Sequence, residues 1–486
     1  MNRAGRLRRI LNWHEDPRLI AWAATPLGRL ALWAAAVLLL TPRLRLFALL
    51  VLSLMVLALV FPARRIELLA LGSLAVAYNF LPQSARAGLL PKLGGMLLMF
   101  VVIALVFRAA RDFRKLPRWA QHHPFLLLHA MLYGSLLLAH ALPAERGTFL
   151  GALVTTYRHV VPFLVWRCSY VMLAGKRGSA AKSRFRDHFF YCLPIWGGTG
   201  TPIGKGYDYF RQTRADAPEE LAAARLSGIK LLGLAWILMG FRELFFALVH
   251  GKASPGVTAF LGGWNLGLPT LGGAIAATGT RGWSTGTLWA CLGIELISST
   301  LRWAISGHFA VGIIRLFGFR AFRNTYRPLL ATTLVDFWNR FYFYFKELLV
   351  EFFFFPTYLK AFKSRPRLRI FAATMAAAGA GNLYFHVMRD IRHLVFLMPP
   401  AEAASAAATR AFYSLLLGLG IFVSMLRERE RRGKPSPPHG RWPALRRLRA
   451  IAGVWLFFSL LHIWGVAPLE FGFERRARFF CSLFGF

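Results

Sequence analysis

The chain has 486 residues, with 60 Lys or Arg against 21 Asp or Glu, a formal charge of +39, 56% hydrophobic residues and a mean hydropathy of +0.46. Only 17% of the residues are charged, where a soluble globular chain carries about a quarter. This composition excludes an ordinary soluble domain and points to the membrane.

The N-terminus carries Arg3, Arg6, Arg8 and Arg9, followed by an aromatic-acidic segment from Trp13 to Asp16. It reads as a cytoplasmic arm rather than a cleaved signal. Apolar stretches approaching the roughly 20 residues that cross a bilayer then occur at 45–61, 66–81, 87–107, 124–142, 149–175, 229–250, 257–279, 284–305, 334–356, 368–388, 407–426 and 450–468. Lipid offers no partner for exposed backbone groups, and none of these stretches alternates polar with apolar residues, so each is predicted to be helical. The expected fold class is all-α, a polytopic transmembrane helix bundle of about 11–13 membrane helices with re-entrant elements. The only extended hydrophilic segments, near 205–228 and 427–448, read as loops, so residues 1–486 form a single membrane domain with N-terminal spans over 18–175 and C-terminal spans over 407–468.

The basic residues gather between spans, in Arg108–Arg118, Lys176–Arg186, Lys360–Arg369 and Arg427–Arg449. The positive-inside rule accounts for most of the charge, and contact with anionic membrane lipids is its residual role. No basic domain interleaved with aromatics stands apart from the spans, so no nucleic-acid partner is expected. Cys168, Cys192, Cys291 and Cys481 are scattered, which predicts neither structural zinc nor a disulfide framework. No repeat relates the two halves, which argues against a transporter built on inverted repeats.

Three regions break the apolar pattern. In "FRDHFFYCLPIWGGTGTPIGKGYDYF" (185–210), Pro194, Gly197, Gly198, Gly200, Pro202 and Gly204 rule out a continuous helix; the segment is either re-entrant or an interfacial loop. Residues 306–356 set Arg315, Arg320, Arg323, Arg327, Asp336, Arg340, Lys346, Glu347 and Glu351 among aromatics, as an amphipathic, partly embedded helix would. Asp336 and Arg340 have ion-pair spacing. His308 sits beside Gly307 at a predicted helix break.

The third region is "GAGNLYFHVMRD" (379–390), where Asn382, His386 and Asp390 fall four residues apart on one helical stripe. A polar stripe in a span faces the bundle interior, because exposing it to lipid costs several kcal/mol. Histidine titrates near neutrality and suits proton transfer from a hydroxyl, and Asp390 is placed to orient its ring. The preceding "AAAGAG" (376–381) would let another helix or a ligand tail approach closely.

The consecutive segments "AVGIIRLFGF" (310–319), "TYRPLLATTLVDFWNR" (325–340) and "FYFYFKELLVEFFFFP" (341–356) resemble the membrane-bound O-acyltransferase (MBOAT) family, in particular the bacterial branch that acetylates exported polysaccharides. Arg315, Gly318, Trp338, Arg340 and Pro356 coincide with that branch's pattern. "LPIWGGTGTPIGKGYDYF" (193–210) is loosely similar to its proline-glycine segment, so the resemblance covers about 185–390. Departures are specific. Tyr342 stands where the family has a histidine, Val350 and Glu351 replace its "RD" pair, and Gly379-Ala380-Gly381 replaces its "WHG". His386 thus arrives about a turn and a half later on the same segment.

The resemblance implies an O-acyltransferase that moves an acyl group such as acetyl from acyl-CoA or a similar thioester to a hydroxyl acceptor on a polysaccharide, lipid or protein. His386 would be the general base and Asn382 would orient the acyl carbonyl. Trp338, Tyr342, Asp336, Asp390 and His308 would contact substrate, with no metal and no bound cofactor. The expected location is a bacterial inner membrane. The rivals are an inactive MBOAT-like chain and a non-enzymatic transporter or lipid-handling protein; in the latter, function would depend on buried charges such as Glu295 and Arg302, seven apart on one face.

Overall fold

A computed structural model of the chain describes residues 12–44, 46–80, 89–143, 148–193, 205–252, 254–280, 282–431, 443–465 and 471–486, with the side chains of 46–47, 74–80, 89–93 and 95–96 excepted. Among these residues every regular element is helical; the only β pairing is an isolated bridge between Arg214 and Phe319. Seven helices are long and apolar enough to cross a bilayer: Pro26–Leu44, Pro124–Ala141, Phe149–Arg177, Pro218–His250, Thr285–Leu316, Pro400–Arg431 and Pro443–Gly465. The chain is therefore a multi-pass membrane protein, with fewer long spans among the described residues than the apolar stretches predict. The core of the proline-glycine segment, 194–204, and the hydrophilic stretch 432–442 lie outside the described residues.

Helices also form near the expected places at Leu46–Val60, Arg65–Phe80 and Leu89–Arg111, and Pro26–Leu44 adds a span that the predicted stretches do not include. Three expected spans are broken. Over 257–279 only Pro255–Phe260 and Leu271–Ala276 are helical, because Gly262, Gly263 and Gly267 take positive φ (59°, 77° and 61°), which turns the chain out of a helix. Over 334–356 the chain forms Leu334–Phe341, Phe343–Leu349 and a π-helical turn at Val350–Phe354. Over 368–388 it forms Pro366–Thr374, a π-helical stretch Met375–Gly381 and Asn382–Arg389. The helix break expected beside Gly307 is absent, since Thr285–Leu316 runs unbroken through His308.

The chain divides into two compact units, one of Met1–Trp236 and Ser306–Arg323, the other of Ile237–Ile305 and Asn324–Phe486. In the first unit Leu89–Arg111 packs along Phe149–Arg177. A Cβ placed on Gly175 would lie 2.5 Å from the Ala110 carbonyl oxygen, so these two backbones touch only because position 175 has no side chain. His129 is a packing residue here, bonded to the Ser169 hydroxyl at 2.7 Å with its ring 4.7 Å from Trp166. Trp236 donates to the Leu39 carbonyl at 2.8 Å.

In the second unit one core joins Leu296, Phe337, Ala378, Leu417, Ile421, Val454 and Phe458. A second joins Leu271, Ile275, Leu292, Ile463, Trp464 and Phe479. The break after Phe341 is held by an extended segment that supplies its missing backbone partners. The Phe343 amide donates to the Asn324 carbonyl (2.8 Å), the Tyr326 amide to the Arg340 carbonyl (2.8 Å), and the Thr325 hydroxyl to the Phe341 carbonyl (2.9 Å). A helix interrupted inside a bundle survives only when neighbours satisfy the freed groups in this way. His462 is a packing residue too, its Nδ1 bonded to the Phe458 carbonyl at 2.5 Å.

Gly175→Ala should therefore cost about 1–3 kcal/mol through overpacking, read as a lower unfolding temperature of the purified protein in detergent. Gly134→Ala, which meets no atom within 4 Å, should leave it unchanged.

Candidate functional site

The segment carrying His386 is seated by small residues. Met375–Gly381 packs against Pro400–Arg431, and a Cβ on Gly418 would lie 3.3 Å from the Gly379 amide nitrogen. On another side, a Cβ on Gly381 would meet the Phe353 ring at 2.7 Å. The small-residue run thus admits a neighbouring helix, one of the two occupants its composition allowed. π-Helical turns inside helices occur often at functional sites, because the extra residue re-aims the side chains that come after it. The first of those side chains here is Asn382.

Asn382 is fully buried, and neither amide atom has a well-formed hydrogen bond. The Tyr413 hydroxyl faces it, at a geometry too poor to count as one. His386, one turn on, is half-buried, with its Nδ1 enclosed and without a partner. Beside Tyr413 on Pro400–Arg431, the buried Ser414 hydroxyl also lacks a partner. Each such orphan costs about 1–3 kcal/mol relative to a satisfied group, so the cluster is what a site waiting for a polar ligand looks like.

Aromatic rings line the cluster. The His386 ring lies 6.0 Å from Tyr413, 5.7 Å from Phe385 and 6.2 Å from Phe345. Phe345 in turn touches Phe385 (4.6 Å), Tyr342 (5.8 Å) and Trp338 (6.1 Å), while Tyr342 stacks on Trp303 at 5.0 Å. Trp338 and Tyr342 are therefore joined to His386 through one phenyl ring. That joining depends on the break at Tyr342, whose extended backbone (φ −145°, ψ 81°) separates the two short helices.

The remaining sequence-predicted residues lie differently. Asp336 pairs with Arg340 at 2.6 Å, as the spacing predicted, and is committed to that bond and to the capped first turn of its own helix. Asp390 does not orient the His386 ring. It stands at the C-cap of Asn382–Arg389, where its carboxylate takes both Arg389 donors (2.8 Å each) and the Arg410 guanidinium (3.5 Å). A guanidinium fork outcompetes a neutral imidazole for a carboxylate. His308 belongs to the other unit; it is buried with Nδ1 unpartnered, within electrostatic reach of Arg315 and Arg323. Glu295 lies within reach of Arg302 and Arg242, as its shared face with Arg302 suggested. Among the described residues no group of His, Cys, Asp and Glu is placed to hold a metal ion.

Sequence reasoning missed Arg410, Tyr413 and Ser414. Their signal was present: a charge inside an apolar span, with polar side chains three and four residues later on the same face.

If Asn382 and Ser414 are kept for a ligand, removing them should not weaken the fold. Asn382→Leu and Ser414→Ala should each leave thermal stability unchanged or raise it by about 1–2 kcal/mol, the penalty of an orphan polar group. A marked loss of unfolding temperature in either variant would show that the side chain has a structural partner instead.

Comparison of the sequence with protein-family models and with curated proteins finds no match in either.

Proposed function

We propose that this chain is an MBOAT-like O-acyltransferase of a bacterial inner membrane, with His386 as its general base. The observation that carries the reading is the pairing of an enclosed, unpartnered imidazole with an enclosed, unpartnered carboxamide one turn away. The order of the segments from 310 to 356 supports it by resemblance. So does the placing of Trp338 and Tyr342 on the aromatic bed that reaches His386.

In this mechanism the imidazole takes the proton of the acceptor hydroxyl as its oxygen attacks the thioester carbonyl carbon. The carbon–sulfur bond then breaks, and the imidazolium returns the proton to the leaving thiolate. The Asn382 amide N–H would donate to the carbonyl oxygen as negative charge develops on it. A dry surround makes such a donor worth more than it is in water. The rings of Phe345, Phe385, Tyr413 and Tyr342 would supply that surround and hold both reactants in place of solvent.

The test is acyl transfer from radiolabelled acyl-CoA in membranes carrying the full chain. His386→Ala should lower turnover by about 10²–10⁴-fold, the usual contribution of a positioned general base. Asn382→Ala should lower it by about 10²-fold or more, as loss of one oxyanion donor does. Unchanged turnover in His386→Ala would remove this residue from the chemistry.

A further inference from the structure

Acyl transfer puts negative charge on the thioester carbonyl oxygen, and sites for such chemistry commonly aim more than one donor at it. Asn382 offers one, from the start of the helix Asn382–Arg389. The facing helix Pro400–Arg431 brings a second group to the same place. Its Tyr413 hydroxyl faces the Asn382 carboxamide without a well-formed bond to it.

The Tyr413 ring is held from several sides. It stands edge-on to the His386 ring, with centroids 6.0 Å apart and planes at 88°. It packs against both hydrophobic cores of the second unit. A Cβ on Gly465 would lie 2.8 Å from its Cε2 and 3.0 Å from its Cδ2, so the ring takes this position only because residue 465 has no side chain. Two torsions set a tyrosine side chain, and once the ring is seated the hydroxyl oxygen is fixed with it. Tyr413 thus meets both proposed catalytic groups, the imidazole with its ring and the carboxamide with its hydroxyl.

Packing explains the ring but not the hydroxyl. Phe345 and Phe385 contribute to the same wall around His386 with no polar atom, and a phenylalanine at 413 would fill the same space. A buried tyrosine hydroxyl ordinarily finds a partner. What stands before this one is a carboxamide that itself lacks a partner on either atom. Two donors that face one another at a poor geometry are both placed to reach one acceptor set beside them. Catalytic hydrogen bonds of this kind often tighten only in the complex with substrate.

We propose that the Tyr413 hydroxyl is a further catalytic residue, the second donor to the thioester carbonyl oxygen beside the Asn382 amide. The proposal rests on the acyltransferase reading. As the acceptor oxygen bonds to the carbonyl carbon, the π pair of the C=O moves onto its oxygen, where the phenol O–H and one amide N–H donate to it. Neither proton leaves its group. When the carbon–sulfur bond breaks, that pair returns to re-form the double bond, and the leaving thiolate takes the imidazolium proton. The second N–H of the carboxamide is left to donate to the phenolic oxygen, and a phenol that accepts one bond gives a stronger one. Because the charge develops only in the transition state, the hydroxyl contributes to kcat and not to substrate binding.

The experiment measures kcat and KM for labelled acyl-CoA, together with the unfolding temperature, in the purified full-length chain and in Tyr413→Phe, which keeps the ring and removes the hydroxyl. Loss of one such donor should lower kcat by about 10²-fold, with KM for acyl-CoA and the unfolding temperature unchanged. His386→Ala, assayed alongside, separates the two assignments. If His386→Ala loses turnover while Tyr413→Phe keeps kcat within about twofold, the second donor is overturned and the base stands. A raised KM at constant kcat would make the hydroxyl a contact of the ground state, and a fall in kcat accompanied by a lower unfolding temperature would make it a structural group; either result overturns the proposal. A chain that transfers no acyl group, or does so equally well as His386→Ala, overturns the acyltransferase reading and this proposal with it.

Discussion

The contact on which the second unit's polar cluster depends is the approach of two backbones where Gly379 faces Gly418. A Cβ on Gly418 would lie 2.8 Å from the Met375 sulfur and 3.3 Å from the Gly379 amide nitrogen, so a side chain there would press the long helix away from the π-helical stretch. Without water to fill the gap, hydrocarbon-embedded helices are held by such packing and by hydrogen bonds across it, not by a hydrophobic drive between them. Everything polar beyond this point, from Asn382 to Asp390 on one segment and from Ser414 to Arg410 on the other, is aligned by that one contact. The two helices run in opposite directions through it, which is why the orphan amide meets Tyr413 and the terminal carboxylate meets Arg410.

The sequence made the all-helical class legible because hydrocarbon leaves the backbone only helices and closed barrels, and no apolar stretch alternates as a barrel strand does. Three of the stretches it offered as spans are broken, for a physical reason. Hydropathy reports whether side chains tolerate lipid, not whether the backbone stays regular, and 334–356 offers a long run of aromatic and aliphatic residues around its five charges. What breaks it is Tyr342, with Asn324 and Thr325 taking up the freed groups from a segment outside the stretch. No local pattern announces such a partner. The glycines of 257–279 did carry a local signal, since four of them, Gly262, Gly263, Gly267 and Gly279, adopt a conformation that L side chains rarely take.

The site was legible in the same uneven way. Asn382 and His386 stood out because four-residue spacing on a helix is a local rule, and both fall on one short helix as that rule requires. Asp390 obeyed the same rule and went elsewhere: the helix ends at that position, and two arginines compete for its carboxylate, one of them twenty residues away. The link from Trp338 and Tyr342 to His386 runs through Phe345, a residue with no chemical signature. Only the fold could supply that connection.

Asn382, His386 and Ser414 account for four of the buried side-chain atoms without a hydrogen bond among the described residues, and they lie along two facing turns. Others, such as Trp33, Tyr191 and Thr300, contribute one atom each at separate places. Elsewhere in the same unit, Trp455 reaches the Leu329 carbonyl, Arg410 the Gly465 carbonyl and Thr333 the Glu428 carboxylate, so this core does satisfy its polar groups where geometry allows. A single orphan can be absorbed as a local cost. Several together, enclosed by aromatic rings, form a concentrated penalty that an apolar replacement would remove. Proteins carry such costs at functional sites, where stability is given up for a group that something else will engage.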